Sequence, residues 1–301
     1  MKPVTRRQAL ALCAAPLFAQ TRPRVAITMD DVRWQIIPDD RRAEAEKRLL
    51  MSLSGVTAFL FAVGQYVDNA HGSGILNNWV AAGHCIGNHT YSHRALLGRI
   101  TAEEFEKDTL RNDALLRGYS GFRKWFRFPA LKEGPTREIR DRIRAFLVRQ
   151  GYRTGAVTID ASDWYYDQRL RARLDQDPHF DVSLYRQPYL NHIWDRAQFY
   201  DRLSRDAVGR SVPHTLLIHY NLLNSLFLGD VLAMFRSRGW GIVSAEEAFS
   251  DPVFDRHLDT VPAGESLIWA IAKETGKFEP RLRYPGEDDV YEKPILDRLG
   301  L

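Results

Sequence analysis

The segment Arg24–Asp31, RVAITMDD, decides the fold class of this chain. Its continuous apolar run predicts a buried strand over 24–28 that ends at Asp30 and Asp31. In barrels of parallel strands, the polar residues that carry the chemistry lie just after the strands. RVAITMDD therefore predicts a parallel sheet covered by helices, with a functional site that starts at these two aspartates.

The rest of the chain alternates in the same way between strand and helix patterns. Further strands are predicted at 56–63, 85–87, 125–128, 156–159, 215–219 and 241–243. Helices are predicted at 41–53, 75–82, 101–117, 136–150, 197–208 and 230–238. Continuous apolar strands separated by helices are typical of a parallel sheet. Six or seven such units predict an α/β barrel of about seven parallel strands in a single domain.

Residues 1–20 have the pattern of an export signal. Three basic residues precede an apolar run, 9–18, which is too short to span a bilayer, and a cut after Ala19 is plausible. Arg6 and Arg7 resemble a twin-arginine signal, and a general secretory signal is the alternative. We therefore expect export to the periplasm or the extracellular space.

The net charge of the chain gives no reason to expect nucleic acid as a partner. The formal net charge is +4, and loss of the segment to Ala19 removes three basic and no acidic residues, which leaves 4 − 3 = +1. This balance does not predict binding to nucleic acid.

No later segment reaches 18 consecutive apolar residues, so we expect no membrane span in the mature chain. The oligomeric state is left open.

His89 and His93 are candidate metal ligands. A spacing of four places both imidazoles on one face of a helical turn, where they can share an ion. A pair of polar or core histidines is the alternative. One carboxylate from Asp30 or Asp31 would complete a set of two histidines and a carboxylate, with open positions for water and substrate. The second carboxylate could then take a proton from the water.

His219 is a candidate general acid, because it ends an apolar strand at the expected barrel mouth. A histidine satisfied within the core is the alternative. A nearby carboxylate such as Asp163 could keep the imidazole protonated near neutral pH.

Five short segments, each after a predicted strand, share an order that resembles a known family. They are Thr28–Asp31, His89–His93, Arg127–Pro129, Asp160–Trp164 and Leu217–His219. This order resembles the five motifs of the polysaccharide deacetylase family, also called carbohydrate esterase family four or the NodB homology domain. The resemblance covers about residues 24 to 250.

The resemblance implies a distorted (β/α) barrel with one divalent ion, usually zinc, with cobalt, nickel or manganese as alternatives. It implies these metal ligands: Asp31, His89 and His93. It implies Asp30 as the base and His219 as the acid, with Arg127 holding the base and Asp163 tuning the acid. It also implies an acetyl pocket built from Trp164, Leu217, Pro129 and Ala130, with the backbone N–H of Ala130 at the oxyanion.

The chain departs from the family pattern at three positions. Met29 replaces a usual phenylalanine, which conserves volume. Ala130 replaces a common aromatic residue, and Leu131 replaces the small residue that usually follows. The backbone donor survives these changes, but the wall of the cleft differs, so the glycan is not indicated.

Two segments lie outside the motifs. Tyr185, Tyr189 and Ile193 fall at helical spacing within 165–195 and predict a core stripe. Residues 255–301 are a polar C-terminal extension of the domain expected over 21–301, and the sequence assigns them no role.

These patterns predict a metal-dependent hydrolase that removes N- or O-linked acetyl groups from an acetylated carbohydrate polymer or oligomer, by attack of a metal-activated water. A hydrolase of a small amide or imide on the same fold is one alternative. A non-catalytic carbohydrate-binding barrel is another, but the presence of both Asp30 and His219 favours an enzyme.

Overall fold

Strands and helices alternate along the whole computed structural model, which describes residues 22–261, 263–284 and 288–301. The strands are β1 Arg24–Asp31, β2 Phe59–Ala62, β3 Cys85–Asn88, β4 Phe122–Phe126, β5 Lys132–Gly134, β6 Arg153–Thr154, β7 Pro213–His219, β8 Gly241–Ile242 and β9 Ala263–Gly264. The helices are α1 Arg42–Ser52, α2 Gly64–Val67, α3 Ala70–Ala81, α4 Ala102–Leu116, α5 Arg137–Arg149, α6 Asp163–Gln176, α7 Arg186–Val208, α8 Leu222–Ser237, α9 Ala245–Phe249, α10 Leu267–Glu274 and α11 Asp288–Arg298. The expected export signal, 1–20, lies outside the described residues.

Seven strands form one parallel sheet, in the order β6-β4-β3-β2-β1-β7, with β8 paired to the start of β1. An isolated bridge from Ile159 to Leu216 on β7 draws the segment after β6 towards the opposite edge of the sheet. The sheet therefore curls into a half-barrel, and the prediction of an α/β barrel of about seven parallel strands in a single domain is confirmed.

Strand β1 is buried on both faces, as its continuous apolar sequence predicts. Val25 and Ile27 belong to the large core cluster between the sheet and its helices. Ala26 points the other way, into a smaller cluster with Phe59 and Phe61 of β2. Because successive strand residues face opposite sides, only a run without polar alternation can serve both clusters.

The strand predicted at 156–159 is wrong. The strand in this region is β6, Arg153–Thr154, and only Ile159 makes a bridge further on. Side-chain hydroxyls supplement a short backbone pairing here: the N–H of Ile159 donates to the carbonyl oxygen of Thr215 at 3.0 Å, and Thr158 Oγ1 accepts from the backbone N–H of Thr215 at 2.8 Å. Gly155 allows this path: a Cβ on it would lie 2.3 Å from Cζ of Phe61.

The segments outside the motifs complete the core. Tyr185, Tyr189 and Ile193 are fully buried, so the predicted core stripe is confirmed. Helix α10 of the C-terminal extension packs against α7, helix α11 packs against α6, and β9 pairs antiparallel with β5. Among the described helices, none is both long and apolar enough to cross a membrane.

Candidate active site

A cavity of about 360 Å³ opens at the C-terminal ends of the strands, and we refer to it as the mouth cavity. Its lining is Asp30, His89, His93, Ala130, Leu131, Lys132, Asp160, Ala161, Trp164, Leu217, His219 and Glu265. Residues from five separate strand ends and from the C-terminal extension thus meet here, as expected of a parallel barrel.

Asp31, His89 and His93 converge beside this cavity. Their possible ligand atoms all lie within 4.8 Å of one another. The Nε2 atoms of His89 and His93 lie 3.5 and 3.2 Å from Oδ1 of Asp31. Within the described residues, they form the one group of three or more such side chains close enough to share an ion.

The chemistry of these donors fits a divalent cation. The Nδ1 atom of His89 lies 2.8 Å from the carbonyl oxygen of Arg127, so Nδ1 carries the proton and Nε2 presents a lone pair to Asp31. Oδ1 of Asp31 is buried without a hydrogen-bond partner. Burial alone would raise the pKa of Asp31, but the electrostatic influence of the neighbouring His93, His89 and His219 outweighs it and lowers that pKa. An anionic oxygen without a donor is a ready metal ligand.

The two histidines meet, but not on one face of a helical turn, so the geometry expected from their spacing is wrong. Residues 89–93 form an irregular loop in which Thr90 and His93 have φ values of 62° and 57°. Side chains hold this strained path: Asn88 Oδ1 accepts from the N–H of Thr90, and Thr90 Oγ1 accepts from that of His93. The centroids of the two imidazole rings lie 4.9 Å apart.

Asp30 is held by a fully buried arginine. Arg127 Nη1 donates to Oδ1 and Oδ2 of Asp30 at 3.0 and 3.2 Å. The same guanidinium also donates to Thr28 Oγ1 and to the carbonyl oxygen of Gly155. Because four acceptors fix the guanidinium, the orientation of the Asp30 carboxylate at the cavity is fixed as well.

His219 and Asp163 form the second charged pair. Nδ1 of His219 lies 2.8 Å from Oδ1 of Asp163, while Oδ2 accepts from the backbone N–H of His219 and from the side chains of Asn221 and Asn224. Burial alone would lower the pKa of His219, but the charge and hydrogen bond of Asp163 dominate and raise it to about 10. The imidazole is therefore protonated at neutral pH and turns Nε2 to the cavity.

Two buried residues, His192 and Glu292, are linked to the backbone that precedes Asp163. The backbone N–H of Ser162 donates to Nε2 of His192 at 2.9 Å, and Nδ1 of His192 lies 3.2 Å from Oε2 of Glu292 on α11. Because Nε2 of His192 accepts from Ser162, its Nδ1 proton faces Glu292. Sequence analysis missed both residues, since neither follows a strand and their spacing carries no pattern.

The residues expected in the acetyl pocket separate into two groups. Trp164, Leu217 and Ala130 line the mouth cavity, whereas Pro129 is buried and is not among its lining residues. Lys132 and Glu265 also line it and form an ion pair with each other. No sequence pattern indicates this pair, because its members are more than a hundred positions apart in the chain.

Carboxylates at the end of β1 and a histidine at the end of β7 meet at one edge of the curled parallel sheet, the position of functional sites in α/β barrels. The sequence model described as polysaccharide deacetylase matches residues 19–155, which confirms the predicted resemblance to this family. The family comprises hydrolases that act on acetyl groups of polysaccharides and are generally metal-dependent.

Similar solved structures include members of carbohydrate esterase family four. A mutant of BA3943, described as a pseudoenzyme with restored activity, is 19% identical over 76% of this chain and 68% of that chain, with a TM-score of 0.52. Wild-type BA3943 from Bacillus anthracis is 17% identical over 76% and 66%, with a TM-score of 0.52. The peptidoglycan deacetylase PdaC from Bacillus subtilis is 20% identical over 76% and 92%, with a TM-score of 0.48. Such identities establish a common fold alone, and no curated protein gave a significant match.

Proposed function

We propose that this protein is a metal-dependent hydrolase that removes acetyl groups from an acetylated carbohydrate polymer or oligomer. One observation carries the proposal: Asp30, which is paired with Arg127, and His219, which is paired with Asp163, line one cavity with His89 and His93. A hydrolysis needs a group that takes a proton from water and a group that gives one to the leaving atom. This cavity offers one of each.

Asp31, His89 and His93 would hold one divalent ion. When bound, such an ion supplies Lewis acidity, which polarises a carbonyl and makes water more acidic. Two neutral imidazoles and one carboxylate, with open positions, are the ligand set of many zinc hydrolases, so zinc is the metal we favour over cobalt, nickel and manganese.

Asp30 would accept the proton of the attacking water. Asp30 is only 2% exposed and lines the mouth cavity, so the carboxylate meets water only where substrate also enters. Arg127 keeps the carboxylate from turning away, because Nη1 contacts both of its oxygens.

His219 would donate a proton to the leaving oxygen or nitrogen of the sugar. The Nδ1 proton is held by Asp163, so the proton available to substrate is the one on Nε2. A pKa raised to about 10 keeps that proton in place at neutral pH until a stronger base forms on the leaving atom.

The cavity walls suit an acetyl group on a sugar. Trp164 is 40% exposed and Leu217 lies beside it, which gives apolar surface for a methyl group and for a ring face. Ala130 lines the same cavity in a left-handed turn with a φ of 51°, where its N–H would serve the oxyanion.

An acetate-release assay tests this proposal. Metal-reconstituted protein is incubated with chitin oligomers, peptidoglycan and acetylated xylan, with p-nitrophenyl acetate as a small ester. Release of acetate from at least one glycan, abolished by a chelator and restored by zinc, is expected. A protein that binds the metal and these glycans but releases no acetate would be a carbohydrate-binding barrel instead.

We further propose that the chain is exported and loses its first residues. The signal pattern up to Ala19 supports this, and the family match begins at residue 19. The intact mass of protein from its native host should correspond to a chain that starts near residue 20. A mass that still includes Met1 contradicts export by cleavage.

A further inference from the structure

We propose that Lys132 and Glu265 bind hydroxyl groups of the sugar ring that carries the acetyl group. This inference rests on the proposed function and names a specificity element for it. The two side chains form an ion pair in the wall of the mouth cavity, which they share with Asp30 and His219.

Glu265 reaches this wall from the C-terminal extension. Its backbone N–H donates to the carbonyl oxygen of Leu131 at 3.1 Å, next to the pairing of Lys132 with Gly264. The C-terminal extension is thus hydrogen-bonded to the segment that carries Ala130, the expected oxyanion donor. A residue 46 positions beyond His219 (265 − 219) becomes part of the same cavity.

The backbone of this wall is strained at three non-glycine residues. Ala130, Leu131 and Glu265 have φ values of 51°, 56° and 106°, in the region that favours glycine. Such strain persists only where the surrounding structure enforces it, and it is concentrated at ligand-binding sites. The backbone conformation of residue 265 is one that favours glycine, yet the residue is a glutamate that lines the cavity.

Stability alone gives a weak reason for this ion pair. The side chains of Lys132 and Glu265 are only 21% and 10% exposed, so both charges have lost most of their water. A pair of this kind gains little over apolar residues of similar volume, because desolvation offsets the attraction. The charges are better explained by a polar ligand that enters the cavity.

A sugar ring supplies such a ligand. Each ring hydroxyl can donate to the Glu265 carboxylate and accept from the Lys132 ammonium, whereas neither charged group can play both parts alone. Hydrogen bonds to charged groups are stronger than those between neutral groups. Trp164 lines the same cavity and offers an apolar face to the ring. The pair therefore selects substrates with hydroxyls beside the acetyl group.

Binding of two oligosaccharides and turnover of a small ester test this role. Metal-loaded wild type, Glu265→Gly, Lys132→Met and the double variant are titrated calorimetrically with a xylo-oligosaccharide and a glucosamine oligomer, which carry the ring hydroxyls but no acetyl group to hydrolyse. They are also assayed with p-nitrophenyl acetate, which carries no sugar hydroxyl. Glu265→Gly removes the carboxylate while relieving the strain at a φ of 106°, so its fold is expected to survive. Lys107→Met, which breaks the exposed pair with Glu103, is the matched control.

Each single variant should raise the Kd of the oligosaccharide that wild type binds by at least about tenfold, the effect of one lost charge-assisted hydrogen bond. The double variant should be little worse than either single one, and kcat/KM for p-nitrophenyl acetate should fall by much less than the rise in Kd. Unchanged Kd values, or no sugar binding by wild type, would overturn the role, as would an equal loss with the small ester. Because binding is measured apart from acetate release, a protein that binds sugar through this pair but releases no acetate would refute the proposed function alone.

Discussion

The Nδ1 atom of His219 lies 2.8 Å from Oδ1 of Asp163, and the other carboxylate oxygen accepts the backbone N–H of the same histidine. Asp163 is fully buried at the first turn of α6, where a helix N-terminus favours negative charge. The carboxylate therefore fixes both the position and the protonation of the imidazole. The pH dependence of turnover can therefore test the proposed acid, His219, separately from the proposed base, Asp30.

Changing Asp163 to Asn should move the alkaline limb of the pH profile to lower pH. The folded pKa of His219 is raised to about 10, so the acid form is present at neutral pH and is lost as pH rises through that pKa. Removing the carboxylate charge lowers this pKa, and an ion held by Asp31 would lower it in both proteins. The measurement is kcat/KM against pH, with metal content expected to stay constant.

The matched control for Asp163→Asn is Asp167→Asn. Asp167 lies one turn further along α6 and binds the backbone N–H of Leu223 and the Arg171 side chain. Its replacement should leave the limb in place. A limb that does not move in Asp163→Asn would assign it to a group other than His219.

Asp30→Asn should retain the metal but lose turnover by about 10²–10⁴-fold, the usual contribution of a general base. The variant also leaves the buried Arg127 without its anionic partner, so the free energy of unfolding should fall. Turnover is therefore measured on protein whose folded fraction has been checked by circular dichroism. A folded, metal-loaded Asp30→Asn variant with wild-type kcat would show that another group is the base.

His93→Ala should lose most of the bound zinc, since it deletes one of three ligands whose atoms lie within 4.8 Å. His179→Ala is the control, because His179 is exposed and lies outside this group. Elemental analysis after dialysis against a weak chelator gives the occupancy. Equal occupancy in the two variants would contradict the assigned ligand set.

His192→Phe should lower the free energy of unfolding by about 1–3 kcal/mol, because the buried N–H of Ser162 loses its acceptor. Ser162 precedes Asp163, so the alkaline limb set by His219 should also shift. His192→Gln, which offers an oxygen near the position of Nε2, should restore part of both. Urea denaturation and the pH profile are the two readouts, and a stability loss without any shift would restrict His192 to a structural role.

The part of the fold and site that sequence could predict follows from local patterns. The apolar run of β1 specifies a strand buried on both faces, and the polar residues after β1, β3 and β7 identify the mouth of the barrel. The placement of Asp30 and Asp31 needs only their adjacency and a turn, which the φ of 80° at Asp31 provides.

The rest depends on contacts between distant parts of the chain. The predicted strand at 156–159 is an irregular segment with one bridge and hydroxyl contacts to Thr215, which leave no periodic signal. His192 and Glu292 meet because α11 packs near α7, and Glu265 enters the cavity because β9 pairs with β5. Neither packing has a signature in spacing or composition, so these residues were beyond local inference.

Because Glu265 lies late in the chain, the wall of the mouth cavity is completed late in synthesis. Synthesis proceeds from the N-terminus at roughly 5–20 residues per second, so Asp31, His89 and His93 all emerge well before the far wall of the cavity. A product cut between β8 and Glu265 would retain all seven sheet strands and every ion-binding side chain, yet lack one side of the cavity. Sugar binding through this wall therefore requires the C-terminal extension, although the ion-binding side chains all precede it in the chain.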